Sequence, residues 1–130
     1  NLSIFGEIVQ GIEMQAGNRG YSLMICLTKD DPDIEAECLN RLRNGLVDGI
    51  LIASTGQNTR LIRDIKANGV AVVQLVRNQD RKFSSVEADC FSCGYEAAKY
   101  LYKKGCTKIG FINGSTEFTP YAERYRGYHK

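Results

Sequence analysis

Apolar positions along this chain alternate between a helical spacing and short continuous runs. Phe5, Ile8, Val9, Ile12 and Ala16 recur at the helical period, so residues 3–18 are expected to form an amphipathic helix with Ser3 at its N-cap. An apolar run over 21–27 predicts a strand. Asp31-Pro32 then opens a second helix, with the aspartate at the cap and the proline in the first turn; Ile34, Cys38, Leu39 and Leu42 form its inner face, and it stops at Gly45. A strand over 49–53 leads into the polar loop Ser54–Asn58. Leu61, Ile62 and Ile65 mark a third helix that ends at Gly69, and a strand over 70–76 follows. From Arg77 to Ser85 the pattern breaks into polar sequence, expected to cross between subdomains, with the charge cluster over 77–82 expected to be solvated. A strand-like Val86-Glu87-Ala88 precedes a helix over 91–104, whose Gly94, Ala97, Ala98 and Leu101 make a small-residue face suited to packing on a sheet. A strand over 107–112 and a last helix from about Pro120 to Lys130 complete the pattern.

At Gly20, Gly45, Gly69 and Gly105 a helical stretch gives way to an apolar run. Glycine closes a helix because it enters the left-handed region without a Cβ clash, and a strand buried on both faces reads as an unbroken apolar run. The fold class is therefore α/β, a parallel sheet with helices on both faces. Ligands of such sheets bind beyond the carboxyl ends of the strands, where backbone groups and helix N-termini converge. That rule selects Thr28–Asp31, Ser54–Asn58, Val76–Asp80 and Asn113–Thr119, together with the entry to the first helix. Arg124, one turn into the last helix, is placed to point back at that edge, where a guanidinium grips hydroxyls or a carboxylate in two places.

Composition changes this picture little. The 130 residues, 43% hydrophobic and 25% charged with a net charge of +2, suit one compact globular core and name no nucleic-acid or membrane partner. No run of about 18 apolar residues is present, and Asn1-Leu2-Ser3-Ile4 lacks the regions of a signal peptide, so the chain reads as soluble and cytoplasmic. Five cysteines, with Cys26 and Cys106 in or beside expected strands, suit a reducing compartment better than a disulfide framework. Cys90-Phe91-Ser92-Cys93 has CxxC spacing but no second ligand pair, and the single histidine is His129, so neither a metal nor a cofactor is expected. Enzyme signatures are missing as well: no dinucleotide or P-loop glycine pattern, no nucleophile elbow, and Asp48 lies before its strand, at the wrong edge for a phosphoacceptor. Binding is favoured over catalysis.

Phe5-Gly6-Glu7-Ile8 with Gly11-Ile12-Glu13, Gly20-Tyr21-Ser22-Leu23, and Val47-Asp48-Gly49-Ile50-Leu51-Ile52 resemble the ligand-binding domain shared by LacI-type transcription regulators and periplasmic sugar-binding proteins. Asp89 to Gly94, Ala97-Ala98 with Leu101, Lys104-Gly105-Cys106-Thr107-Lys108-Ile109-Gly110-Phe111-Ile112 and Arg124-Tyr125-Arg126-Gly127-Tyr128 are similar to the LacI-type regulators specifically. The resemblance runs over essentially the whole chain and rests on the order and spacing of motifs that are individually weak. It implies a Rossmann-like, periplasmic-binding-protein-like core, with residues 1–88 as the N-terminal subdomain and 89–130 as the start of the C-terminal one. It further implies a homodimeric cytoplasmic regulator that binds a small effector, a sugar or nucleoside-like molecule, between the subdomains. Effector binding would adjust how an N-terminal helix-turn-helix headpiece sits on operator DNA. Carried onto matching positions, the cleft would be lined by Ile4, Phe5, Ser54 and Asp89, with Arg124 as polar anchor. Read from the residues alone, Phe5 suits a core position, Ser54 the cap of the third helix and Asp89 the cap of the fourth. The alternative function is a solute-binding receptor of a transporter, which would need a secretion signal upstream.

Two positions depart from the family pattern: Val76 stands where many members carry an acidic ligand contact, and Cys106 where a Gly-His pair has its histidine. The resemblance also implies a headpiece and an opening strand before Asn1 and more of the second subdomain after Lys130, so a fragment of a longer protein is expected. The opening strand normally lies between 21–27 and 49–53; without it, those two runs are expected to pair directly or to accept a strand from a neighbouring molecule, since unpaired ladder groups are costly.

Overall fold

A computed structural model describes residues 3–130. Among them the chain forms helices α1 (Ile4–Gly17), α2 (Pro32–Leu42), α3 (Thr59–Ala67), α4 (Cys90–Lys103) and α5 (Thr119–Tyr128), and strands β1 (Gly49–Ile52), β2 (Ala71–Leu75) and β3 (Ser84–Val86). The strands form one parallel sheet in the order β1-β2-β3, with Gly49 opposite Ala71, Ile52 opposite Gln74, and Val73 opposite Ser84. The α/β reading and the helices agree with the sequence pattern. All four punctuating glycines have left-handed φ, between 79° and 94°.

The core lies on one side of this sheet. Ile50 and Val72 point into it and meet Leu39 of α2, Ile62 and Ile65 of α3, and Phe83. Alternation along the strand turns Leu51 to the opposite face, where it is about half-exposed. Helix α2 starts as its sequence demands: Asp31 accepts from the backbone N–H groups of Asp33 at 2.8 Å and Ile34 at 3.2 Å, and Pro32 occupies the first turn.

Three expectations are corrected. The runs 21–27 and 107–112 are not strands: they have no ladder partner among the described residues, and 21–27 does not pair with β1. Their composition favours a strand, but a strand exists only where a neighbour supplies the opposing N–H and C=O groups. Several of their side chains stay in water, Tyr21 at 60% and Leu27 at 78% exposure, while Phe111 stacks on Tyr128 of α5 with ring centres 4.9 Å apart. Second, α1 forms over the expected residues but buries none of its side chains and packs on no other element of the described structure. Ser3 occupies its N-cap position with extended backbone, yet its hydroxyl makes no capping bond. Third, the small-residue face of α4 packs on a helix rather than on a sheet. Gly94 lies against the backbone of Arg124 and Gly127 against that of Phe91, so a Cβ at either position would collide with main chain; Ala97 and Leu101 remain exposed. Two helices approach this closely only where side chains are absent.

Ile65, 2% exposed at the centre of the core, tests this packing. Ile65→Ala is expected to lower stability by roughly 2–5 kcal/mol, read as a shift in the urea midpoint without change in slope.

Candidate functional site

The four loops selected from the sequence meet at the carboxyl edge of the sheet, and one cation ties three of the chain's segments there. Arg77, just beyond β2, is buried at 7% exposure, so the expectation that residues 77–82 are solvated fails at its first member. Its guanidinium donates to both carboxylate oxygens of Asp30, at 2.6 and 3.1 Å, and lies 3.8 Å from the ring centre of Phe118. A bidentate carboxylate on one side and an aromatic face on the other supply what a buried guanidinium needs. Arg77 is aimed inward by a tight turn: Val76 has φ of 65°, and the Arg77 N–H donates to the Leu75 carbonyl at 2.6 Å across it. Lys29 and Asp30 also have positive φ, 55° and 57°. No other non-glycine among the described residues does, so the backbone strain of this structure is concentrated in the two loops that hold the ion pair.

Two further buried polar side chains brace the loops. Gln74, inside β2, accepts from the N–H groups of Gln79 at 2.9 Å and Asp80 at 3.1 Å and donates to the Asp80 carbonyl at 2.8 Å, fixing the shape of Val76–Asp80. Arg63 Nε adds a 2.7 Å bond to Asp80, which holds the Asp80 carboxyl below its ordinary range. Glu35 of α2, 1% exposed, accepts from Ser54 Oγ at 3.2 Å, Thr55 N at 2.9 Å, Thr55 Oγ1 at 3.0 Å and Asn58 Nδ2 at 3.0 Å. A carboxyl group sealed from water is tolerable when donors surround it, and here they come from Ser54, Thr55 and Asn58.

The first half of the chain meets the second through the same edge. Asn78 N donates to Thr119 Oγ1 at 2.9 Å; the Gln79 side-chain amide donates to the Glu117 carbonyl at 3.2 Å and accepts from Thr119 N at 3.4 Å. Gln79 thus meets the 117–119 backbone as another peptide group would.

Of the individually expected residues, Ser54 lies in this cluster, 2% exposed, with its hydroxyl donating to Glu35 and accepting from Gly56 N at 3.0 Å. The Ser54–Glu35 pair is closed to solvent, which makes it a brace for the loop rather than a nucleophile and base within reach of a substrate. Asp89 caps α4, accepting from Ser92 N at 2.9 Å and Ser92 Oγ at 2.7 Å; the backbone bond first, then the hydroxyl, lower its pKa. Arg124, half-buried on α5, has its guanidinium 3.8 Å from the Cys90 sulfur and 5.4 Å from the Tyr121 ring centre, with no carboxylate in ion-pair range among the described residues. Ile4 and Phe5 stand at the start of α1, 68% and 44% exposed, on a helix that packs on no other element. The structure therefore gathers the loops and does not bring Ile4 or Phe5 to them. No group of three or more metal-ligating side chains occurs among the described residues, and no described helix is long and apolar enough to cross a membrane.

The family described as periplasmic binding proteins and sugar binding domain of the LacI family matches residues 1–130. The transcriptional repressor PurR of Haemophilus influenzae is 30% identical over 128 residues, covering 97% of this chain and 38% of that protein. Among solved structures, a periplasmic binding protein/LacI transcriptional regulator from Alkaliphilus metalliredigens complexed with D-xylulofuranose superposes with a TM-score of 0.85 at 30% identity, over 99% of this chain and 48% of that one. The Cra dual regulator of Pseudomonas putida in complex with fructose 1-phosphate gives 0.89 at 25% identity, over 96% and 47%. The chain thus spans well under half the length of the curated repressor it matches.

The Asp30–Arg77 pair predicts an acid-dependent stability. Arg77 donates to Asp30 and so lowers its pKa below the ordinary 3.8 against the opposing effect of partial burial. A carboxylate whose pKa falls on folding stabilises the fold fully above its unfolded value, and that contribution is lost as pH falls through the folded value. Asp30→Asn is expected to flatten the loss of stability below pH 3.8. Near neutral pH it should cost roughly 1–3 kcal/mol, because Arg77 then keeps only part of its hydrogen bonding. Thermal midpoints of both proteins across the acid range check both effects.

Proposed function

The chain belongs to the family of periplasmic binding proteins and sugar-binding domains of LacI-type regulators, and from that membership we propose that it is the effector-binding core of a LacI-type transcription regulator. The observation that carries this reading is the convergence of Thr28–Asp31, Ser54–Asn58, Val76–Asp80 and the 117–119 segment at one sheet edge, joined across the two halves of the chain by Asn78, Gln79 and Thr119. An effector seated among these loops touches both halves and favours whichever relative placement it fits better, so its binding energy becomes a shift in the balance between two arrangements. A headpiece joined to the N-terminal side reports that shift to operator DNA, and the functional unit is a cytoplasmic homodimer. Binding rather than catalysis is supported by the braced, solvent-sealed state of Ser54 and Glu35.

Within this reading Arg124 is the polar anchor of the effector, since its guanidinium faces only a sulfur and an aromatic ring and keeps donors for a ligand's hydroxyls or anionic group. Ser54 and Asp89 act by shaping the loop and the helix start that border the cleft. A small sugar is the effector class favoured by the relatives, one of which is complexed with D-xylulofuranose and another with fructose 1-phosphate.

A thermal-shift screen of the full-length protein against pentoses, hexoses, their phosphates and nucleosides tests the class; a true effector at 100 times its Kd adds about 2.7 kcal/mol of stability. Arg124→Ala is expected to raise the effector's Kd roughly 10- to 100-fold, the loss of a charge-assisted hydrogen bond, with operator binding intact. Unchanged affinity by calorimetry removes Arg124 from the site.

A further inference from the structure

Two thiols with no part in the effector site share one cleft. Between the run ending at Leu27 and helix α2 lies a cavity of about 340 Å³, whose wall holds Cys26 from the run and Cys38 and Arg41 from the helix, with Met24, Leu27 and Leu46 around them. Cys38 is buried and Cys26 half-buried, and both line this cavity, so a molecule the size of hydrogen peroxide that enters it meets both residues. Arg41 Nη2 donates to Cys38 Sγ at 3.4 Å. The two cysteines line the same cavity from opposite sides, one on the run and one on the helix, and burial first, then the neighbouring Cys38, raise the Cys26 pKa. Both cysteines are free thiols.

We infer that Cys26 and Cys38 are a reversible thiol–disulfide pair, oxidised by a peroxide, that ties the run to helix α2. The chemistry needs only these sulfurs and the oxidant. Cys38, as thiolate, attacks one peroxide oxygen; the O–O bond breaks, Cys38 becomes a sulfenic acid, and the departing hydroxide takes up the proton that the thiol gave. Cys26 then attacks the Cys38 sulfur and displaces the sulfenic oxygen as water. In sum two thiols and one hydrogen peroxide give one disulfide and two waters, the two electrons passing from sulfur to oxygen. Arg41 assigns the order of attack, because a guanidinium bonded to the Cys38 sulfur meets the negative charge carried there. The bond acts at a useful place. Cys26 lies four residues before Asp30, so a covalent tie to α2 sets the path by which the chain enters the strained loop that holds Arg77.

The test treats the full-length, reduced protein with hydrogen peroxide, blocks remaining thiols with N-ethylmaleimide, and maps the non-reduced peptides by mass spectrometry. The expected result is an intrachain Cys26–Cys38 linkage, reversed by dithiothreitol, that consumes two thiols per chain. Cys26→Ser and Cys38→Ser should each abolish it, and Arg41→Gln should slow its formation several-fold while leaving the far-UV spectrum unchanged. The inference is overturned if both thiols are recovered alkylated, if the linkage maps to Cys90–Cys93, or if Cys38 is oxidised to the sulfinic acid without cross-linking. The map of the unsubstituted protein decides this even where a serine variant fails to fold.

Discussion

A backbone N–H or C=O taken out of water needs a partner, and that requirement divides the apolar runs of this chain into two groups. Runs 49–52, 71–75 and 84–86 find one another and form a ladder whose inner face, through Ile50 and Val72, carries the core. Runs 21–27 and 107–112 are also apolar but find no strand neighbour among the described residues, so they form no ladder and lie against helices instead, Cys26 lining a cavity with Cys38 of α2 and Phe111 stacking on Tyr128 of α5. The state of α1 follows. Its apolar stripe forms as sequence directs, yet a stripe is buried only against a surface, and no sheet face is presented to it. Hydrophobicity alone places no element; the ladder places the strands, and the strands place the helices.

At the carboxyl edge the same rule acts on side chains. Glu35, Gln74 and Arg77 are each nearly excluded from water, and each is satisfied by loop partners, those of Glu35 and Arg77 far away in sequence and those of Gln74 in the loop that follows its strand. Buried polar groups hold loops more rigidly than apolar ones because their bonds are directional and their loss is costly. The positive φ angles of Lys29, Asp30 and Val76 persist because the Asp30–Arg77–Phe118 arrangement determines them from outside the local chain. Each side of this edge is rigid, and the sides are bridged by only a few hydrogen bonds: Asn78 N to Thr119 Oγ1 at 2.9 Å and the longer contacts of Gln79 with 117–119 at 3.2 and 3.4 Å.

Much of this was legible beforehand. Asp31-Pro32 gave the start of α2, the glycine joints gave the parallel α/β class, and the strand ends selected the loops that do converge. The residues that build the edge were less visible. Gln74 offered a signal, a lone polar side chain in the run Ala71-Val72-Val73-Gln74-Leu75, since a strand interior accepts an amide only where it has bonds to make. Glu35 and Arg77 offered none, because charged residues on a helix and in a polar loop are ordinarily solvated, and their partners lie 20 and 47 residues away.

From its sequence alone, then, this protein's helical periodicity, the Asp31 and Asp89 caps, the left-handed glycines and the family follow, because they depend on residues within a few positions of one another or on the order of motifs. Which apolar runs become strands, which face of α4 is buried, that Arg77 turns inward onto Asp30, and that Cys26 and Cys38 line one cavity are decided only in three dimensions. Each of these depends on a partner distant along the chain, and the free energy of burial or hydrogen bonding exists only once that partner has arrived.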